Sequence, residues 1–147
     1  MRYKPAHFGM AVSDMERALR FYCDGLGFEQ VAGFEMTSET APGMDAALGV
    51  DAPLDVATRI IVHGTMAVEL MQWRTRGDQP PPVRRHGLSP HLSFFVDDVD
   101  AAALELVALG ATVIEGTRQS VGTDFVYLAD PEGTPLELVQ RTARRPG

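Results

Sequence analysis

The chain has 147 residues, enough for one domain with a buried core. With 45% hydrophobic and 22% charged residues it has a globular composition, and no apolar run approaches the roughly 18 residues of a membrane span. A net charge of −7 argues against nucleic acid as a partner, and the single cysteine, Cys23, fits a reducing compartment. We therefore predict a cytoplasmic protein that binds neither nucleic acid nor membrane.

The first half of the chain predicts the element order β-α-β-β-β. Hydrophobic alternation indicates a strand at 7–12, and Ser13 and Glu16 have the capping-box spacing of a helix start, with Gly27 as a stop. The other strands are predicted near 29–36, 59–63 and 66–73, and a helical turn at 44–48.

The second half repeats this order after a linker. Residues 77–90 include three consecutive prolines and several charges, which is typical of a connection between modules. A strand at 91–96, a helix at about 98–109 and strands near 112–116, 123–129 and 135–140 follow.

Matching motifs support an internal repeat. Residues 7–14 (HFGMAVSD) correspond to 91–98 (HLSFFVDD), and residues 64–72 (GTMAVELMQ) correspond to 133–140 (GTPLELVQ). Each copy therefore contributes one histidine and one glutamate at equivalent positions.

We predict one domain, 1–147, made of a first module at 1–76, the linker, and a second module at 91–141. His7 and Glu69 are 62 positions apart, whereas the equivalent pair in the second copy is 46 apart, so the first module has 16 extra residues. They fall in an insert at 37–57, where a long loop favours a lid or pocket wall.

Strand alternation assigns the repeated residues to one face of the sheet. Phe8, Met10 and Val12 share an apolar face suited to contact with the helices, which leaves His7 on the other face. The same parity places each repeated glutamate opposite two apolar neighbours. We therefore predict an α+β fold, with two tandem βαβββ modules forming an eight-stranded cup-shaped sheet and helices on its outer face. Its inner face would carry His7, Glu69, His91 and Glu137.

Two imidazoles and two carboxylates are a suitable ligand set for a divalent ion. Zn, Ni, Co, Mn and Fe all accept these donors, and the two carboxylates balance the charge of the ion. Apolar residues expected on the same face would line a pocket for a small-molecule substrate; these are Met71, Trp73, Phe95, Phe125 and Tyr127.

These motifs resemble the vicinal oxygen chelate superfamily, which groups glyoxalase I, methylmalonyl-CoA epimerase, extradiol dioxygenases and antibiotic-resistance proteins. The resemblance extends from residues 7–14 to 130–133 (DPEG) and 136–138 (LEL), nearly the whole chain. It implies the paired βαβββ fold and the ligand set His7, Glu69, His91 and Glu137. A complete set is most similar to glyoxalase I and close to methylmalonyl-CoA epimerase, whereas extradiol dioxygenases do not need a carboxylate at position 69.

The resemblance implies a metal-dependent lyase or isomerase that moves a proton next to a carbonyl of a small substrate, with thioesters among the candidates. Glu69 or Glu137 would act as the base. Three alternatives remain open at this point. They are an Fe(II) extradiol-type dioxygenase, a non-catalytic protein that binds an antibiotic or metabolite, and a phosphonate- or epoxide-opening resistance enzyme, which also resembles the His/His/Glu pattern. Proteins with this resemblance commonly form homodimers, so we expect one.

Overall fold

The computed structural model describes residues 4–74 and 91–141. The chain divides into two compact units, Met1–Val83 and Arg84–Gly147, each with its own sheet. The predicted linker at 77–90 lies outside the described residues, and the module boundaries stay predictions. Across the described ranges, no helix is long and apolar enough to cross a membrane.

The first unit has a four-stranded sheet. Its elements are β1 (Phe8–Ala11), α1 (Met15–Leu19) with a π-helical continuation at Arg20–Gly25, β2 (Glu29–Thr37), α2 (Met44–Leu48), β3 (Asp55–His63) and β4 (Met66–Trp73). The strand order is β1-β4-β3-β2, with β1 parallel to β4 and the other neighbours antiparallel. The first strand of the unit therefore lies directly beside the last one.

The second unit has a five-stranded sheet with the same arrangement. Its elements are β5 (Leu92–Val96), α3 (Val99–Ala108), β6 (Thr112–Val113), β7 (Gln119–Val121), β8 (Thr123–Ala129) and β9 (Pro135–Gln140). The order is β5-β9-β8-β6, β5 runs parallel to β9, and β7 pairs with β8. The predicted α+β class with two βαβββ modules is confirmed, and β7 is a short strand beyond the eight predicted.

In each unit, an aspartate caps the N-terminus of the helix that follows the first strand. The Asp14 carboxylate accepts a hydrogen bond from the Arg17 N–H at 3.0 Å, so the prediction that Ser13 caps α1 was wrong by one residue. The Ser13 hydroxyl instead accepts a hydrogen bond from the Arg17 guanidinium at 3.2 Å. Asp98 caps α3 in the same way as Asp14 caps α1.

A glutamine near the end of each last strand ties the helix start to the sheet. The Gln72 side chain in β4 accepts from the Met15 N–H and donates to the Ser13 carbonyl, both at 3.1 Å. Gln140 in β9 accepts from the Val99 N–H at 3.3 Å. We call these hydrogen bonds of Gln72 and Gln140 the glutamine latches. Because the same strands carry Glu69 and Glu137, the glutamine latches help to fix the backbone that positions both carboxylates.

The core lies on the helix-facing side of each sheet. Val68 and Leu70 are fully buried in β4, and Leu136 and Leu138 are buried in β9, as strand alternation requires. Phe8 departs from its predicted inward position, since it is 40% exposed at the start of β1.

The insert of the first unit folds back on itself between β2 and β3. The Ser38 hydroxyl accepts from the Leu54 N–H at 2.7 Å and donates to the Asp45 carboxylate at 3.2 Å. Leu54 is buried, and the predicted helical turn is observed as α2. The insert is thus closed by a hydrogen bond between its two ends.

Candidate functional site

The first unit brings His7 and Glu69 together. The parallel pairing of β1 and β4 sets Gly9 beside Glu69, and His7 stands just before the strand. The His7 Nε2 lies 3.0 Å from the Glu69 Oε2, with the side chains 40% and 16% exposed. We call this pair the first half-site.

The second unit repeats the arrangement with His91 and Glu137. Parallel pairing of β5 and β9 sets Ser93 beside Glu137, and His91 immediately precedes β5. The His91 Nε2 lies 3.6 Å from the Glu137 Oε2, with the side chains 32% and 19% exposed. This pair is the second half-site.

The separation within each pair fits two adjacent ligands of one ion. Ligand atoms bound at about 2.1 Å lie about 3.0 Å apart at a right angle and about 3.4 Å apart at a tetrahedral angle. The observed distances of 3.0 and 3.6 Å are close to these values. The shorter distance equally suits a direct hydrogen bond from imidazole to carboxylate.

Each half-site by itself supplies only two ligands. Over the described residues, no cluster of three or more His, Cys, Asp or Glu side chains has a geometry for holding a metal ion. The use of His7, Glu69, His91 and Glu137 by one ion therefore stays a prediction from the repeat.

The second half-site has polar and aromatic neighbours. The Ser93 Oγ donates to the Glu137 Oε2 at 2.7 Å. Tyr127 is the register partner of Glu137 in β8, and its ring meets His91 edge-on with centroids 5.3 Å apart. Burial, together with hydrogen bonding to Glu137 and the charge of that carboxylate, raises the pKa of the Tyr127 phenol.

The first half-site has smaller and less polar neighbours. Gly9 takes the register position that Ser93 has in the second unit, and Ile60 takes the position of Tyr127. A Cβ placed on Gly9 would lie 3.9 Å from the Glu69 Oε2 and 3.2 Å from the Met71 Cε. The methyl end of Met71 therefore lies close to the first half-site.

The predicted pocket residues differ in their surroundings. Tyr127 contacts the second half-site, and Phe125 packs edge-on against Tyr127 with centroids 6.2 Å apart. Trp73, at the end of β4, is half-buried, whereas Phe95 is 71% exposed. A role of these side chains in substrate binding stays a prediction.

Sequence reasoning missed Ser93 as a site residue. Its parity with His91 placed it on the correct face, which was the available signal. Its contact with Glu137 depends on the register between β5 and β9, which the motifs alone do not specify.

Fold and side-chain pairs together define a protein of two βαβββ modules, each with a histidine and a glutamate in contact. Residues 4–138 match the model of the Glyoxalase/Bleomycin resistance protein/Dioxygenase superfamily, and the chain belongs to this superfamily. The resemblance to vicinal oxygen chelate proteins is thereby confirmed.

Similar proteins span nearly the whole chain. YaeR of Escherichia coli (strain K12) is 28% identical over 137 residues, covering 92% of this chain and 94% of that protein. The 2-epi-5-epi-valiolone epimerase of Actinomyces sp. is 28% identical over 150 residues, covering 95% and 80%. The crystal structure of a glyoxalase family protein from Bacillus cereus has a TM-score of 0.76 at 20% identity, covering 97% of both chains, a likeness of fold.

Proposed function

We propose that the protein is a divalent-metal-dependent isomerase or glyoxalase-type lyase that transfers a proton next to a carbonyl of a small substrate. The observation that carries this proposal is the repeated contact between histidine and glutamate, at 3.0 Å in one unit and 3.6 Å in the other. A repeat that keeps both side chains in contact favours a shared role over two unrelated ion pairs.

The proposed ligand set combines the two half-sites. Two neutral imidazoles and two carboxylates suit Zn, Ni, Co, Mn or Fe, and the carboxylates neutralise the charge of the ion. His7, Glu69, His91 and Glu137 would be these ligands.

The chemistry divides between the ion and the chain. When bound, the ion supplies polarisation of the substrate carbonyl and stabilises the negative charge that develops on its oxygen. One of the two carboxylates, Glu69 or Glu137, removes the proton from the neighbouring carbon. Return of the proton by the same side chain to the adjacent carbon gives an isomer, whereas epimerisation would need the other carboxyl group to protonate the opposite face of the same carbon.

The apolar residues beside the half-sites would orient the substrate. Met71 lies close to the first half-site and Tyr127 contacts the second, and both would shield the reacting carbon from water. The Actinomyces relative supports the isomerase outcome, because an epimerase inverts a stereocentre.

Deuterium incorporation tests the proposal. Protein loaded with Zn, Ni, Co or Mn is incubated in D₂O with hydroxyacetone, a methylglyoxal–thiol hemithioacetal or a 2-methyl-branched thioester, and NMR follows the carbon next to the carbonyl. We expect metal-dependent deuterium uptake that falls by roughly 100-fold or more when the catalytic carboxylate becomes an amide, in Glu69→Gln or Glu137→Gln. Glu29→Gln, an exposed strand glutamate, is the matched control.

Two results would favour the alternatives. Oxygen uptake with a catechol and Fe(II), unaffected by Glu69→Gln and without deuterium exchange, would indicate an extradiol-type dioxygenase. Tight binding of an apolar drug that survives chelation, again without exchange, would indicate a binding protein.

Assembly as a homodimer and a cytoplasmic location belong to the same proposal. The family resemblance motivates the dimer, and composition with a single cysteine motivates the location. A monomer by light scattering at micromolar concentration would contradict the first, and secretion of the tagged protein from its own cell would contradict the second.

A further inference from the structure

The outward face of α3 carries apolar side chains where a surface helix usually carries charges. On this face Leu104 is 72% exposed, and Ala101 and Ala108, about one turn to either side of it, are exposed as well. Three other residues of the helix are buried on the side that packs against β8 and β9: Val99, Ala103 and Leu106. The helix therefore has two apolar faces, and the sheet of its own unit covers only one of them.

The exposed residues have the spacing of a helix–helix contact. Ala101, Leu104 and Ala108 follow each other at steps of three and four, which is the a-d-a pattern of a coiled coil. A large side chain between two small ones lets a second helix approach closely, because the large side chain of the partner fits over the small positions. We call these three residues the α3 seam.

The equivalent helix of the first unit shows that the fold does not require an apolar seam. Positions can be counted from the capping aspartates, Asp14 for α1 and Asp98 for α3. The residues of the first unit at the three seam positions are then Arg17, Arg20 and Asp24. Charged side chains at these positions suit contact with water. The repeat is thus charged on one outward helix face and apolar on the other.

Two exposed valines extend the seam towards the edge of the sheet. Val107 lies on α3, and Val113 lies on the edge strand β6, against which the helix packs. With the seam they form a patch of roughly 300–400 Å², the size of the largest apolar patches on soluble monomers, which are often functional. A dimer contact of standard size buries about 800 Å² per partner, of which a little over half is apolar. The patch therefore supplies most of the apolar area that a dimer contact needs.

The charges beside the seam are compatible with packing against a second copy. Asp100 lies one turn before Leu104, and the Arg118 guanidinium donates to its carboxylate at 2.9 and 3.1 Å, which offsets its charge. Two helices related by a two-fold axis through the seam run antiparallel, so their dipoles attract. Glu105 flanks the seam and would face its own copy, but this side chain is exposed, so water and salt screen the repulsion.

We propose that the α3 seam is the contact surface of a homodimer, in which a second copy of this chain packs its own seam antiparallel against the first. The inference rests on the homodimer proposed above and names the surface that forms it. Such a contact uses the same patch on both partners, so one substitution changes the interface twice. Because α3 covers the face of the sheet opposite to Glu137, the contact leaves the second half-site open.

Sedimentation velocity of the full chain, from low to high micromolar concentration, tests the surface. We expect a reversible dimer that Leu104→Glu weakens roughly 100-fold, because each copy would press a carboxylate into an apolar contact. Leu104 is exposed in the monomer, so the variant should keep the far-UV circular dichroism of the wild type. Val31→Glu changes a valine that is 57% exposed in β2 and should leave the dimer unchanged. Glu105→Gln should tighten it about 3-fold by removing a like-charge contact.

A disulfide tests where the two copies meet. Cys23→Ser removes the cysteine of the chain, and Leu104→Cys is then added to this variant. Two residues beside a two-fold axis lie close enough for a disulfide, so mild oxidation should give a covalent dimer on a non-reducing gel. Val31→Cys in the same background is the matched control and should give at least 10-fold less covalent dimer.

The outcomes separate this inference from the proposals on which it rests. A wild type that stays monomeric over the whole range would overturn both the inference and the homodimer. A dimer that Leu104→Glu leaves intact and Leu104→Cys does not cross-link would overturn the inference alone, because another surface would then form the dimer. A monomer that binds phosphatidylcholine vesicles through Leu104 would show that a membrane surface occupies the seam, which also overturns the inference. The proposed proton transfer is measured separately, by deuterium exchange.

Discussion

Gln72 in β4 holds Met15 at the start of α1, accepting its backbone N–H at 3.1 Å. The same side chain donates to the Ser13 carbonyl, so one residue pairs with an N–H that the helix itself leaves unpaired and with a carbonyl just before the helix. Gln140 has the equivalent position in the second unit and accepts from the Val99 N–H. The shared geometry across the repeat identifies a structural role for both glutamines.

Gln72→Ala should destabilise the protein by about 1–3 kcal/mol, because it removes the acceptor of the part-buried Met15 N–H. The midpoint and slope of urea unfolding measure the change. Gln30→Ala, in the exposed strand β2, serves as the control and should shift stability by less than about 0.5 kcal/mol. An equal loss of unfolding free energy in the two variants would argue against a structural role for the Gln72 hydrogen bonds.

The repeat made half of the candidate site predictable. Matching motifs and strand parity place a histidine and a glutamate on one face, and the structure brings His7 to Glu69 and His91 to Glu137. The first and last strands of each unit pair in parallel, and this pairing brings the histidine of one strand next to the glutamate of the other. That pairing is observed in the structure, because the βαβββ order alone does not determine which strands are neighbours.

Three features could not be predicted from the sequence: the short strand β7, the residue that caps α1, and the role of Ser93. The strand β7 has only three residues, which is too short for an alternating hydrophobic pattern to reveal it in the sequence. It is joined to β8 through Gly122, whose φ of +77° suits a tight turn. Ser13 and Asp14 are both good helix caps, and their competition was decided by which side chain reaches the Arg17 N–H. The contrast between Ser93 and Gly9 was visible as letters, yet its meaning required the contact with Glu137.

Closure of the insert depends on Ser38. Ser38→Ala removes the acceptor for the Leu54 N–H, so we expect a loss of about 1–3 kcal/mol and faster hydrogen exchange at that amide. Ser38→Thr keeps the hydroxyl and should retain most of the protection. The Ser38 N–H also donates to the Leu54 carbonyl at 3.1 Å, and unchanged exchange at Leu54 in the alanine variant would show that this backbone hydrogen bond suffices.

Arg118 links α3 to β8 through two carboxylates. Its guanidinium donates twice to Asp100, at 2.9 and 3.1 Å, and once to Asp124 at 3.0 Å. The Arg118 hydrogen bonds lower the pKa of Asp100, and hydrogen bonds from Ser120 and then Arg118 lower the pKa of Asp124.

A depressed folded-state pKa contributes stability that is present above the unfolded value, about 3.9 for Asp, and is lost as pH falls through the folded value. Arg118→Gln should therefore raise both carboxyl pKa values and flatten the acid side of the stability curve below about pH 4. Carboxyl NMR titration and melting temperatures between pH 5 and 2 measure these effects. Arg20→Gln is the control, because Arg20 forms only a long, exposed ion pair with Glu16. A plot of stability against pH for Arg118→Gln that runs parallel to that of the wild type would contradict the prediction.

Metal binding should stabilise the folded protein, because the proposed ligands come from strands far apart in the chain. A ligand at 100 times its dissociation constant adds about 2.7 kcal/mol to the free energy of unfolding. We expect Zn²⁺ to raise the melting temperature of chelator-treated protein, and His7→Ala or His91→Ala each to remove most of that rise. His63→Ala changes a histidine that packs against Phe28 and should keep the full rise even if its own stability is lower. If His7→Ala alone removed the rise and His91→Ala did not, the ion would be held by the first half-site only, and the shared four-ligand site would be wrong.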